Sequence, residues 1–302
     1  MTQATAQPRR HQATLALDAR ATLGECIRWD ERQRLIYWVD IPGRQLHRYD
    51  PATGRDDAMP LAQEMGCFAL AERGGFICGM RSGYARLDRF GGEFTSLASP
   101  DYDPARARFN DGRCDSAGRF WAGTMWEPRD RAGGIVYRLD ADGRFGAQCN
   151  PVIIANGITF APDGRSMTLA DTTNHVLWAF DYDLVTGIPS SRRELRSYEP
   201  ASGRPDGACV DAEGNVYVAI MAGGRVEKIS PTGELLALIE LPIPNITCCT
   251  FAGDDLRTLY ITTARTRMTD AELAAHPYAG GLFAWRLPDG DAPGIIEPRY
   301  AG

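Results

Sequence analysis

Histidine is scarce in this chain, four in 302 residues, and none of the eight cysteines forms a Cys-x-x-Cys pair. His11, His47, His175 and His276 form no cluster along the sequence, which argues against a zinc centre built on nitrogen and sulfur. No Gly-x-Ser-x-Gly elbow is present, which sets aside a serine hydrolase of that kind. Phosphate-cradling and dinucleotide-binding glycine motifs are missing too. No stretch approaches eighteen consecutive apolar residues, so no transmembrane helix is expected. Basic runs are absent and the net charge is −6, against a nucleic-acid or anionic-membrane surface. The opening MTQATAQPRRHQ is polar and lacks the apolar core of a secretory signal. The expectation is a cytoplasmic protein whose residues 1–12 are a loose tail. Its cysteines are then reduced thiols acting as small hydrophobes in strands.

What is present is a repeat. A turn, an apolar strand, a polar or glycine-containing loop and a second strand recur, starting at "RLIYWVD", "GFICGM", "GRFWAGTM", "GRSMTLAD", "GNVYVAIM" and "RTLYITTA". Partner strands follow, among them "RQLHRYD", "HVLWAFDYD" and "GLFAWRL". The copies lie roughly 40–50 residues apart, the period of a four-stranded propeller blade. Six copies predict an all-β chain, a six-bladed β-propeller forming one domain over 13–302. One helical signal stands out: in "TRMTDAELAAHP", Thr269 and Glu272 are placed as a capping box, predicting a short helical insertion in the last blade.

In such a blade the first strand is innermost and lines the central channel. Pro-Asp-Gly occurs three times, at 162–164, 205–207 and 288–290. Asp163 falls in the turn between first and second strands, and Asp289 follows the last strand. Asp206 alone falls where an innermost strand begins. Counting back eight residues from each blade's turn gives Glu25, Gly66, Asn110, Asn156 and Asp206. The last blade has a longer turn, and the count there lands on Cys249 or Thr247. Four blades thus offer an oxygen-bearing side chain at one ring position around the channel mouth.

Two carboxylates and an amide carbonyl, from Glu25, Asn156 and Asp206, suit one divalent hard cation such as Ca²⁺, Mg²⁺ or Mn²⁺. Zn²⁺ is a less natural fit. Arg108, two residues before Asn110, is placed to bond a substrate oxygen. Long loops at 124–134 and 262–281 return to the same face, where specificity usually resides. Trp126, Glu127 and Tyr278 are the ligand-contact candidates on them.

The segments "LGECIRWDERQRLIYWVDI", "RFNDGRCDSAGRFWAGTM", "NGITFAPDGRSMTLADTTNHVLWAFDYD", "RPDGACVDAEGNVYVA" and "PNITCCTFAGDDLRTLYITTA", in this order, resemble the gluconolactonase and senescence-marker-protein (regucalcin) family of six-bladed propellers. The resemblance implies one divalent metal ion, Ca²⁺ foremost, at the channel mouth, with Glu25, Asn156 and Asp206 on its metal positions. It places Arg108 and Asn110 at substrate contacts, with Glu127 near a further acidic one. It implies metal-dependent hydrolysis of a sugar (aldono-) lactone to the sugar acid, in a cytoplasmic sugar-oxidation pathway. Asp206 would serve as ligand first and as base second. A small-molecule sugar lactone is then the partner, with no nucleic acid, membrane or obligatory protein partner. The other readings are a metal- or ligand-binding propeller without catalysis, and a hydrolase of other lactones, esters or phosphotriesters.

Overall fold

A computed structural model describes residues 7–149 and 152–302. Six antiparallel blades stand around a central axis, five with their own four strands running outward in sequence order and the sixth taking its outermost strand from the beginning of the chain. The innermost strands are Gly24–Asp30, Met65–Leu70, Ala107–Cys114, Ala155–Phe160, Arg204–Val210 and Ile246–Ala252. Burial falls along each blade. In blade one, Gly24–Asp30 is buried throughout, Leu35–Asp40 nearly so, Gln45–Asp50 only in part, and Arg55–Pro60 has no buried residue. A strand covered by a neighbouring blade on both faces cannot alternate, whereas an outer strand meets water. The expected helix is present as Asp270–Ala275, between the second and third strands of blade six. Its Thr269–Glu272 capping box is formed in both directions.

The last blade closes with the beginning of the chain. Thr14–Leu17 pairs antiparallel with Leu282–Arg286, so the ends of the sequence meet in one sheet and leave no open seam. The tail expected over residues 1–12 needs correction where it is described. Arg9–Gln12 is a strand, parallel to Leu235–Glu240 on the outer edge of blade five. Arg9 holds Asp291 through two hydrogen bonds of 2.9 and 2.8 Å, and Gln12 donates to Glu240 at 3.0 Å. These side chains are mostly exposed, so the strand adds pairing rather than core. Deleting residues 1–12 is expected to keep all six blades, as read by circular dichroism. The cost is on the order of 2 kcal/mol, a fall of a few degrees in thermal midpoint.

All eight cysteines are free thiols, as expected. Cys26 packs between blades one and two, accepting the Phe68 N–H at 3.1 Å, and burial pushes its thiol up to about 12. Such thiols are inert packing groups.

Candidate functional site

Each innermost strand carries an irregularity at the same height. The ladders shift between Glu25 and Arg28, Met65 and Cys67, Phe109 and Asp111, Asn156 and Thr159, Pro205 and Ala208, and Ile246 and Cys248. A β-bulge re-aims the side chain beside it. The residues at or beside these six bulges are Glu25, Gly66, Asn110, Asn156, Asp206 and Thr247, so the eight-residue register marks a physical ring. Blade six resolves to Thr247, because Cys249 pairs regularly with Ile261. Blade two cannot contribute a side chain: a Cβ on Gly66 would collide with the Phe109 carbonyl. Gly157, after Asn156, takes φ 55°, and Cys26, after Glu25, takes φ 49°. Glycine relieves at one bulge a strain that cysteine bears at the other.

Glu25, Arg108, Asn110, Glu127, Asn156 and Asp206 all line one cavity of about 340 Å³ at this mouth of the channel. Asp206 is 5% exposed, and its buried Oδ1 has no hydrogen-bond partner among the described residues. Burial first, then the charge of Asp111, pushes its carboxyl up to about 8. Glu25 is raised well above the carboxylate range by burial, then by Asp206 and Asp111. Among the described residues its carboxylate has a single hydrogen bond, a long one from the Cys26 N–H, 3.4 Å. Two buried acids side by side, one oxygen unpartnered, are the donor set that a cation would stabilise. Asn156 fits as the third donor. Its Nδ2 donates to Thr172 Oγ1 at 2.8 Å, which fixes Oδ1 toward the ring; that oxygen accepts Asn110 Nδ2 at 2.8 Å and keeps a second lone pair. Among the described residues no group of three His, Cys, Asp or Glu is placed to hold a metal, consistent with a set that includes an amide.

Arg108 and Asn110 extend this network. Arg108 Nη1 donates to Asn110 Oδ1 at 3.0 Å and to the Phe109 carbonyl at 2.8 Å. Glu127 accepts two hydrogen bonds from Arg81, 2.8 and 3.0 Å, and lies 3.6 Å from Arg108 Nε. The Arg81 hydrogen bond holds its carboxyl below the usual range, so Glu127 is a fixed negative charge. Trp126 and Tyr278 do not reach the cavity. Trp126 is buried between the guanidiniums of Arg106 and Arg131, 4.7 and 4.4 Å from its ring, and Tyr278 is 46% exposed on the outer loop. Asp163 caps its turn, accepting the Arg165 N–H at 2.9 Å, and Asp289 is exposed in another.

Several wall residues escape the sequence reading. Stepping two residues back from the ring gives, beside the expected Arg108, Leu23, Glu64, Ile154 and Arg204, and all of them line the cavity. The sixth, Asn245, instead donates to the Thr266 carbonyl at 3.2 Å and steadies the long loop of blade six. Successive residues on one face of a strand lie two apart, so the Arg108–Asn110 spacing already carried this signal. Arg81 carried none: it reaches Glu64 and Glu127 sideways from the turn of blade two.

The profile of the family described as SMP-30/Gluconolactonase/LRE-like region matches residues 23–265. The chain is similar to a 6-deoxy-6-sulfogluconolactonase of Pseudomonas putida, 44% identical over 93% of this chain and 96% of that one. Regucalcin of Gallus gallus is 36% identical over 94% of this chain and 96% of its own. Among solved structures, a calcium-binding regucalcin from Agrobacterium tumefaciens superposes with a TM-score of 0.92 at 26% identity, covering 98% of this chain and all of that one.

Proposed function

The chain belongs to the SMP-30/gluconolactonase/LRE-like family, and from that premise we propose that this lactonase opens a sugar lactone with the help of one divalent cation held by Glu25, Asn156 and Asp206. The observation that carries the reading is the unpartnered, buried Oδ1 of Asp206 beside a second buried acid. When bound, the cation supplies Lewis-acid polarisation of the carbonyl and a more acidic water. Ca²⁺ suits the oxygen donors best, with Mg²⁺, Mn²⁺ or Zn²⁺ as the other candidates.

The side chains divide the remaining work. Arg108 and Asn110, tied to each other, present donors to the hydroxyls and ring carbonyl of the sugar. Glu127 and Glu64 hold Arg108 from behind. Water oxygen bonds to the lactone carbonyl carbon and its proton passes to Asp206. The bond from that carbon to the ring oxygen then breaks as the ring oxygen takes that proton from Asp206 and leaves as a hydroxyl. The product acid ionises to the open-chain sugar carboxylate and releases one proton to solvent. Among the described residues no helix is long and apolar enough to cross a membrane. The setting proposed is cytoplasmic, downstream of a step that oxidises an aldose to its lactone.

A pH-release assay over γ- and δ-aldonolactones tests this, run on chelated protein re-supplied with each metal in turn. Turnover that returns with a divalent ion is expected. No turnover of any lactone with any metal would sink the proposal.

A further inference from the structure

Hydrolysis as proposed uses the floor of the cavity and leaves three arginines at its mouth without a task. Arg129 and Arg267 come from the long loops of blades three and six, and Arg204 opens the inner strand of blade five, two residues from Asp206. All three line the same cavity as Arg108. The carboxylates of that wall are already committed. Glu64 and Glu127 bind Arg81 and lie near Arg108, while Glu25 and Asp206 form the proposed cation site. Among the described residues no carboxylate lies within ion-pair distance of the guanidiniums of Arg129, Arg204 or Arg267, whereas the neighbouring Arg81 and Arg108 have theirs.

The three are close enough to repel. Burial, then Arg267, Arg204 and Arg108 in that order, holds the Arg129 guanidinium below its usual value. Two of them also occupy left-handed backbone, φ 58° at Arg129 and φ 62° at Arg267, a conformation in which a side chain with a Cβ is strained. Like charges gathered in a half-enclosed cavity on strained loops are stabilised by an anion that enters between them.

We propose that Arg129, Arg204 and Arg267 form an oxyanion subsite, and that the preferred substrate is a sugar lactone carrying a sulfonate or phosphate at the end of its carbon chain away from the carbonyl. This rests on the lactonase reading above. The reacting carbonyl is directed to the floor beside Asp206, and the far end of the molecule to the mouth. Planar guanidiniums meet tetrahedral oxyanions with paired hydrogen bonds and keep their charge throughout the working pH range. A neutral polyol end would leave all three without a partner at ion-pair distance, with Asp206 and Glu127 acting on Arg204 and Arg129 only from farther off.

The test compares δ-gluconolactone with its 6-phosphate and its 6-deoxy-6-sulfonate on the metal-replete protein. At least one anionic lactone is expected to exceed the neutral one in kcat/KM by about 100-fold or more, mainly through KM. Arg267→Gln should lower the anionic value about tenfold, and Arg129→Gln with Arg267→Gln about 100-fold, each more than the neutral value. Whichever anion is favoured identifies the group. Calorimetry of 6-phosphogluconate against gluconate gives a second readout without turnover: tighter binding of the phosphorylated acid, lost in the double variant. Equal turnover of neutral and anionic lactones with equal binding of the two acids would overturn the subsite and leave the hydrolase reading standing. Selective acid binding without turnover of any lactone would support the subsite and overturn the hydrolase reading.

Discussion

Asp206→Asn is expected to lower metal-supported kcat/KM by about 10³-fold or more, and at the same time to stabilise the metal-free fold. Both follow from one side chain. The amide keeps the shape of the carboxylate but loses the charge that a cation needs, and it offers no base for the proton of the attacking water. In the metal-free protein, burial and Asp111 push the Asp206 carboxyl up to about 8, so at neutral pH folding must first protonate it. The sign is fixed by linkage. A carboxyl raised in the folded state gives its full stability below the unfolded value, near 4, and loses it as pH rises toward 8. The stabilisation by Asp206→Asn should therefore vanish near pH 4, grow through neutrality and level off above pH 8. Thermal unfolding of chelated wild type and variant across that range reads it directly. Added metal should raise the midpoint of the wild type alone, since on the proposed site only that protein would bind the ion in its folded state. A variant that binds metal with wild-type affinity and keeps full lactonase activity would remove Asp206 from both roles.

Asp206 was legible in the sequence because a blade is a ruler. The inner strand, its bulge and the hairpin after it have a set length, so a side chain at the mouth stands a constant distance before the turn. The count therefore picked Glu25, Asn110, Asn156 and Asp206 from four separate blades, and it failed to decide only in blade six, where the longer turn "FAGDDLRT" broke the ruler. Other features had no periodic signature. Asp111 sits next to Asn110 in sequence but turns the other way, accepting the Ile158 N–H at 3.1 Å and the Gly112 N–H at 2.8 Å from within the channel. Its charge still raises both cavity acids. Arg9–Gln12 has the exposed, polar composition of a tail, and only the free edge of blade five makes it a strand. Of the proposed oxyanion subsite, Arg129 and Arg267 lie on loops, where the pattern of strands ends, and only Arg204 lies within reach of the two-residue step along a strand.

The C-terminal segment shows the same limit, and the largest stability effect is expected there. Residues 294–300 have no strand pattern, yet they cross the mouth opposite the cavity and touch five blades: Gly294 bridges to Asp211 of blade five, Tyr300 bridges to Ala71 of blade two, and Glu297 enters the channel to meet blades one, three and six. Glu297 is the acid shared by Arg113, in direct contact, and Arg28, at 3.2 Å, while Thr250 Oγ1 donates to it at 3.1 Å. Those arginines are themselves buried, and they donate across the axis to the carbonyls of Gly112, Ile158 and Ala208. Burial alone would raise the Glu297 carboxyl, but Arg113 and then Arg28 outweigh it and hold the group below its usual value. Among the described residues, Glu297→Gln keeps the volume but leaves Arg113 without a carboxylate partner and Arg28 with only the more distant Asp111, 4.0 Å away. A loss of about 3–5 kcal/mol at pH 7 is expected, read as a lower midpoint in urea. Because the wild-type carboxyl is depressed, its contribution is full above the unfolded value, near 4.5, and is lost as pH falls through the folded one. The gap between wild type and Glu297→Gln should accordingly close on acidification. Asp142→Asn, which breaks the exposed pair with Arg144 at 2.8 Å, should change nothing measurable at either pH. If the two substitutions proved equally mild, the channel arginines would be satisfied by backbone carbonyls and Asp111, and the C-terminal segment would be a cover rather than a fastening.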